Sequence, residues 1–125
     1  MSDAVVMGAR AAAKRLAGEF EPGLRGEVEL ALQARSRTPE QYVDPIALGA
    51  LIVSAAQFAW QIHMDVKRRR EARPATLAQI AAAVREQLDV PPFISREQSD
   101  RVVEVVVAET VAAAETPHTD DVGPG

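Results

Sequence analysis

The stretch from Asp44 to Arg70, DPIALGALIVSAAQFAWQIHMDVKRRR, constrains this chain more than any other part of it. Asp is a good helix N-cap, and Pro is tolerated at the first helical position because its missing N–H would have no intrahelical partner. Mostly apolar residues follow as far as Met64, and a basic run closes the segment, suiting the negative pole of a helix dipole. A helix over 46–64 is roughly 28 Å long at about 1.5 Å per residue, close to the roughly 30 Å of a bilayer's hydrocarbon core. Ile46, Leu48, Leu51, Ile52, Val53, Phe58 and Ile62 together favour insertion by about 3 kcal/mol, and Gln57 and Gln61 oppose it. Hydropathy alone is balanced.

The flanks tip the reading. Trp60 stands near one end, where an interfacial indole belongs, and Lys67, Arg68, Arg69, Arg70 and Arg73 follow it, against Arg35 and Arg37 on the other side. The bias of basic residues toward the cytoplasmic side then places the C-terminal part in the cytoplasm. Within the helix, Ala50, Ser54, Gln57, Gln61 and Asp65 fall on one narrow stripe. In a bilayer such a stripe forms a hydrogen-bonded helix–helix contact; in water it is the solvated face of a core helix. The expectation is a single membrane span, with the buried central helix of a cytoplasmic soluble bundle as the alternative.

Elsewhere the pattern is helical. Asp3 to about Phe20 places Val5, Val6, Ala9, Ala13, Leu16 and Phe20 on one side, with Arg10 and Lys14 on another, and Glu21-Pro22-Gly23 stops it. Residues 24–34 read two ways. Val28, Leu30 and Leu32 alternate as in a strand, whereas Leu24, Val28, Leu32 and Arg35 suit a short helix; helix is preferred because no convincing second strand exists to pair with it. Thr76-Leu77-Ala78-Gln79 and Ser95-Arg96-Glu97-Gln98 both fit the capping-box pattern. The first opens a helix with Leu77, Ile80, Ala81, Val84 and Leu88 on one face, ended by Asp89-Val90-Pro91-Pro92. The second leads into DRVVEVVVAETVAAAE, whose valines favour a strand intrinsically, while its cap and Ala-rich continuation favour helix. The expected fold is all-α, with four to five helices around one long central apolar helix. Its expected parts are N-terminal amphipathic helices over 1–41, the apolar helix over 42–66 and a basic hinge over 67–75. A helical hairpin over 76–114, with Leu77, Ile80, Val84 and Leu88 packed on Val103, Val106 and Val107, and a disordered acidic tail over 115–125 complete it.

Only 4% of residues are aromatic and much of the apolar content is alanine, so a lone monomer buries little area per residue and self-association is expected. The net charge of −4 conceals an asymmetry: residues 67–85 carry six basic and one acidic side chain, and residues 86–125 two basic and nine acidic. That split predicts an electrostatic surface or an intramolecular pairing. There is no cysteine, which excludes disulfides, thiolate metal sites and cysteine nucleophiles. The start, MSDAVVMGARAAAKRLAGEF, is interrupted by Arg10, Lys14 and Arg15 and does not read as a secretory signal.

Tyr42, Asp44, Pro45, Ile46, Ala47, Trp60 and the run 101–111 carry a resemblance. Over most of residues 40–112 the chain resembles a set of small, largely uncharacterised bacterial proteins with an Asp-Pro-initiated apolar helix, some of them associated with predicted conflict or defence gene neighbourhoods. The resemblance implies no established activity; the apolar helix and its basic flank give the expected location, a bacterial inner membrane with the C-terminal part cytoplasmic, or the cytoplasm in the soluble alternative. Nothing in the residues points to catalysis: no pair of carboxylates is placed for acid–base work, and there is no phosphate-cradling glycine loop or nucleophile motif. His63-Met64-Asp65 does not make a metal site, since i and i+2 do not face one another on a helix; His63 is expected at an interface or facing solvent. The basic run suits an anionic lipid surface, and it lacks the interleaved aromatics of a nucleic-acid binder. The function expected from sequence is a non-enzymatic, membrane-associated adaptor or regulatory component without cofactor or metal, acting through helix–helix interactions. A soluble homo-oligomeric interaction module and a membrane-perturbing effector are the alternatives.

Overall fold

The computed structural model describes residues 2–20, 22–37, 48–69, 76–88, 90 and 94–115. They form five helices: α1 (Asp3–Ala17), α2 (Leu24–Arg37), α3 (Leu48–Arg69), α4 (Leu77–Gln87) and α5 (Arg96–Glu115). The all-α expectation holds. The Asp44-Pro45 start of the apolar helix, most of the 67–75 hinge and the tail beyond Glu115 lie outside the described residues.

Local signals set the helix ends. Ser2 caps α1 through a 3.1 Å hydrogen bond from the Ala4 N–H to its hydroxyl. The helix closes at Ala17, three residues short of the expected end, and the Phe20 N–H returns to the Leu16 carbonyl at 2.8 Å. Both capping boxes form. Gln79 N–H donates to Thr76 Oγ1 at 3.1 Å and Thr76 N–H to Gln79 Oε1 at 2.9 Å; Gln98 N–H donates to Ser95 Oγ at 3.1 Å and Ser95 N–H to Gln98 Oε1 at 3.2 Å.

The ambiguous segments are helices, for tertiary reasons. In α2, Leu24, Val28, Ala31 and Leu32 are buried while Leu30 is 69% exposed. A strand would have put Leu30 on the same face as Val28 and Leu32. In α5, Val102, Val103, Val105, Val106 and Val107 are all buried, because α5 packs against α1, α3 and α4 at once. Neighbours on three sides outweigh the intrinsic preference of valine for strands.

Helix α3 is the hub, touching α1, α2, α4 and α5. Its Leu51, Ile52, Val53, Ala55, Ala56 and Ala59 are buried by those helices, so protein takes the place that lipid would fill around a span. Among the described residues no helix is long and apolar enough to cross a membrane. The polar positions Gln57, Gln61, His63 and Asp65 interrupt the apolar run, and the single-span expectation is unsupported. Helix α4 packs on α5, as the hairpin reading expects, yet the most extensive partner of α5 is α1. Leu77 departs from that reading: it is 48% exposed instead of seated on the valines of α5.

Small residues let the helices approach closely. A Cβ built on Gly8 of α1 would lie 2.6 Å from Thr110 Cα on α5, and one on Gly49 of α3 would lie 2.6 Å from the Glu27 carbonyl carbon on α2. At the second crossing the Gly49 N–H also donates to Glu27 Oε1 at 3.2 Å. Surface ion pairs add to these contacts: Arg10–Glu29 between α1 and α2 at 2.7 Å, Arg15–Glu109 between α1 and α5 at 2.7 Å, and Arg85–Asp100 between α4 and α5 at 3.1 Å. Each is exposed and contributes about 0–1 kcal/mol.

Two glycine substitutions test the close approaches. Gly8→Ala gains about 1 kcal/mol of helix propensity but must push α1 off α5, and overpacking typically costs about 1–3 kcal/mol; net destabilisation is expected in urea unfolding. Thr110→Ala removes the nearest side-chain atoms but not the backbone, so it should rescue Gly8→Ala in part, as coupling in a double-mutant cycle. Gly49→Ala should also destabilise, because it meets backbone atoms of Glu27 and Val28 and the Glu27 Cβ, none of which can rotate away.

Candidate binding cleft

The stripe residues do not form one surface. Ala50 is buried, Ser54 and Gln57 are half-buried, and Gln61 and Asp65 are exposed. The stripe climbs out of the core along α3, and its C-terminal part lies on the surface of the bundle. Trp60 is half-buried and packs against the core. It borders a shallow hollow with Gln61, Met64, Asp65, Arg68 and Gln87. Of the basic flank, Lys67 and Arg68 are exposed on the last turn of α3, Arg69 ends that helix, and Arg70 and Arg73 lie outside the described residues.

Among the described residues, one concave feature was not found by the sequence reading. Between the C-terminal half of α3, the start of α4 and the end of α5 lies a partly open cleft of about 440 Å³. Helix α3 contributes His63, Val66 and Lys67 to its wall, α4 contributes Leu77 and Ile80, and α5 contributes Ala108, Val111, Ala112 and Glu115. The wall is mainly apolar, with one cationic and one anionic side chain, both exposed. Its size lies at the lower end of the roughly 300–1,000 Å³ typical of small-molecule sites.

His63 corrects the sequence expectation. It is 8% exposed, and its Nε2 is buried with no hydrogen-bond partner among the described residues. A buried polar atom left unpaired costs about 1–3 kcal/mol; the His63 residue lines the cleft, while this nitrogen is itself buried. The signal for its burial was in the sequence: His63 continues Ala55 and Ala59 in steps of four, the buried row of α3. The N-terminus of α4 also faces the cleft through Leu77. Its capping box occupies the N–H groups of Thr76 and Gln79, leaving those of Leu77 and Ala78 outside the box.

Among the described residues no three His, Asp or Glu side chains gather where they could hold a metal ion. The described wall offers apolar contact area, with the exposed Lys67 and Glu115 as its charged side chains. No family model, no curated protein and no solved structure matches the chain.

The position of Gln57 and Gln61 gives a discriminating experiment. Changing both to Leu enlarges the exposed apolar surface on a helix whose other faces are already covered by protein. The expected outcome is increased self-association or aggregation, seen by light scattering, without transfer to the membrane fraction in alkaline carbonate extraction. Stable retention of the wild-type chain in that membrane fraction would contradict the reading of α3 as a protein-covered core helix.

Proposed function

We propose that this protein is a small, non-enzymatic regulatory module that works by binding in the cleft between α3, α4 and α5. The observation that carries the reading is the mainly apolar cleft of about 440 Å³ that α3, α4 and α5 leave between them. An occupant gains apolar contact area against all three helices at once.

The cleft also suits a switch. Among the described residues α4 is held by α3 and α5 alone, while α3 touches every other helix. At eleven residues, α4 is also the shortest helix. A molecule that touches α3, α4 and α5 together favours the docked position of α4 by its differential affinity for that state. Docking of α4 is then the message passed to a protein partner, which keeps the adaptor role expected from sequence and its helix–helix character. Of the basic flank, Lys67 and Arg68 at the end of α3 are exposed and available to an anionic surface.

Nile red, a neutral apolar dye, tests the cleft directly. It should bind the full chain saturably with a rise in fluorescence. Ala108→Leu, which fills the wall from α5, should weaken that binding at least tenfold while circular dichroism stays unchanged. Leu30→Ser, which removes a well-exposed apolar side chain on α2, should leave it unaffected. Equal dye binding by wild type and Ala108→Leu would refute the cleft as a binding site.

A further inference from the structure

Away from the cleft and independently of it, we infer that the outward face of α2 is a contact surface for a second copy of this chain, the two α2 helices packing antiparallel about a twofold axis at the level of Val28. Helix α2 touches only α1 and α3 among the described helices, so it stands at the edge of the bundle. Its outward row is Gly23, Gly26, Leu30 and Gln33, all exposed. They succeed one another by three, four and three residues, the spacing of a coiled-coil seam.

A lone exposed leucine is ordinary; the setting of this one is not. Leu30 is the most exposed large apolar side chain of the described residues, at 69%, and Gly26 stands one turn before it. Gly8 and Gly49 answer to close approaches inside the fold, but a Cβ on Gly26 would meet nothing within 4 Å. Glycine there gives up helix propensity with no neighbour in the fold to accommodate. Gly23, equally open, directly precedes the helix, where glycine is a usual cap.

The row is small at one end and large at the other, and that pattern is self-complementary. Reversing a second α2 about Val28 sets Leu30 of each copy over Gly26 of the other, and Gln33 over Gly23. A parallel pair would set leucine on leucine and leave glycine facing glycine, with no contacts between them. The flanking charges obey the same axis. Arg25 is exposed and has no carboxylate partner among the described residues. Glu29, one turn on, is held by Arg10 through both its oxygens, at 2.7 and 3.0 Å, with 43% of its side chain still exposed. In the antiparallel pair Arg25 of each copy reaches Glu29 of the other. Every contact then occurs twice, which is the mark of an isologous interface between identical chains. A pair of fourteen-residue helices meeting along one seam buries less than the roughly 1,200 Å² of a stable complex, so the dimer is weak and reversible.

Sedimentation equilibrium of the full chain tests this, at low salt, where exposed charge pairs are least screened. A monomer–dimer equilibrium is expected at concentrations up to about 1 mM, the range of a small, transient interface. Leu30→Ser and Gly26→Gln should each weaken the dimer at least tenfold with circular dichroism unchanged. Gly26→Gln separates the interface from a role in the fold, because in the monomer it should hold or raise the urea midpoint through helix propensity. Arg25→Glu and Glu29→Arg should each weaken the dimer alone. An equimolar mixture of the two variants should restore it, since every contact between positions 25 and 29 then joins opposite charges. A chain that stays monomeric throughout would overturn the proposal, as would a dimer that survives both Leu30→Ser and Gly26→Gln. A mixture that associates no better than the separate variants would overturn the antiparallel pairing. A monomeric chain whose binding to phosphatidylglycerol vesicles is lost with Leu30→Ser would overturn it in favour of a lipid surface.

Discussion

The structure depends on how closely its helices approach, and that closeness is set at two glycines. Gly8 lets the backbone of α1 reach Thr110 on α5, and Gly49 lets α3 reach the Glu27 backbone on α2. A core rich in alanine buries little area per residue when helices stand at leucine spacing. Drawn together, the same helices recover dispersion contacts between backbones. Ala9, Ala12, Ala13, Ala55, Ala56 and Ala59 are buried, and they line the faces on which α1 and α3 meet their neighbours. Small side chains are here the means of packing.

The cleft follows from unequal helix lengths. Helices α3 and α5 have 22 and 20 residues, and α4, which bridges them, has eleven. A short helix laid against two long ones leaves part of their length uncovered, and its own terminus falls inside the gap. Lys67 and Glu115 both line the cleft because each stands near the C-terminal end of its helix.

Some of this was legible in the sequence and some was not, for physical reasons. The two capping boxes were readable because they are local: a hydroxyl and an amide three residues apart complete each other's hydrogen bonds whatever lies beyond. The apolar character of α3 was equally plain, but hydropathy measures a preference to leave water and says nothing about whether lipid or protein provides the cover. Four neighbouring helices provide it. The phase of α2 was undecided because Val28 and Leu32 serve both periods; only the fate of Leu30 separates them. His63 was misplaced because a histidine near a basic run reads as surface, although its spacing from Ala59 put it on the buried row. The cleft itself was invisible, being made by residues from three helices far apart in sequence.

The burial of His63 carries a cost. Native stability is about 5–15 kcal/mol, and an unpaired buried nitrogen consumes about 1–3 kcal/mol of it. A leucine at position 63 would continue the Ala55–Ala59 row without that cost. Thr110 Oγ1 is also buried without a partner among the described residues, yet it lies under Gly8 at the tightest helix crossing, where a small side chain is sterically required. His63 has no such excuse. It stands beside the cleft between α3, α4 and α5, with its Nε2 itself buried. The two polar atoms buried without a partner among the described residues thus differ in setting: Thr110 Oγ1 lies at the close approach of α1 and α5, and His63 borders the gap that α3, α4 and α5 leave between them.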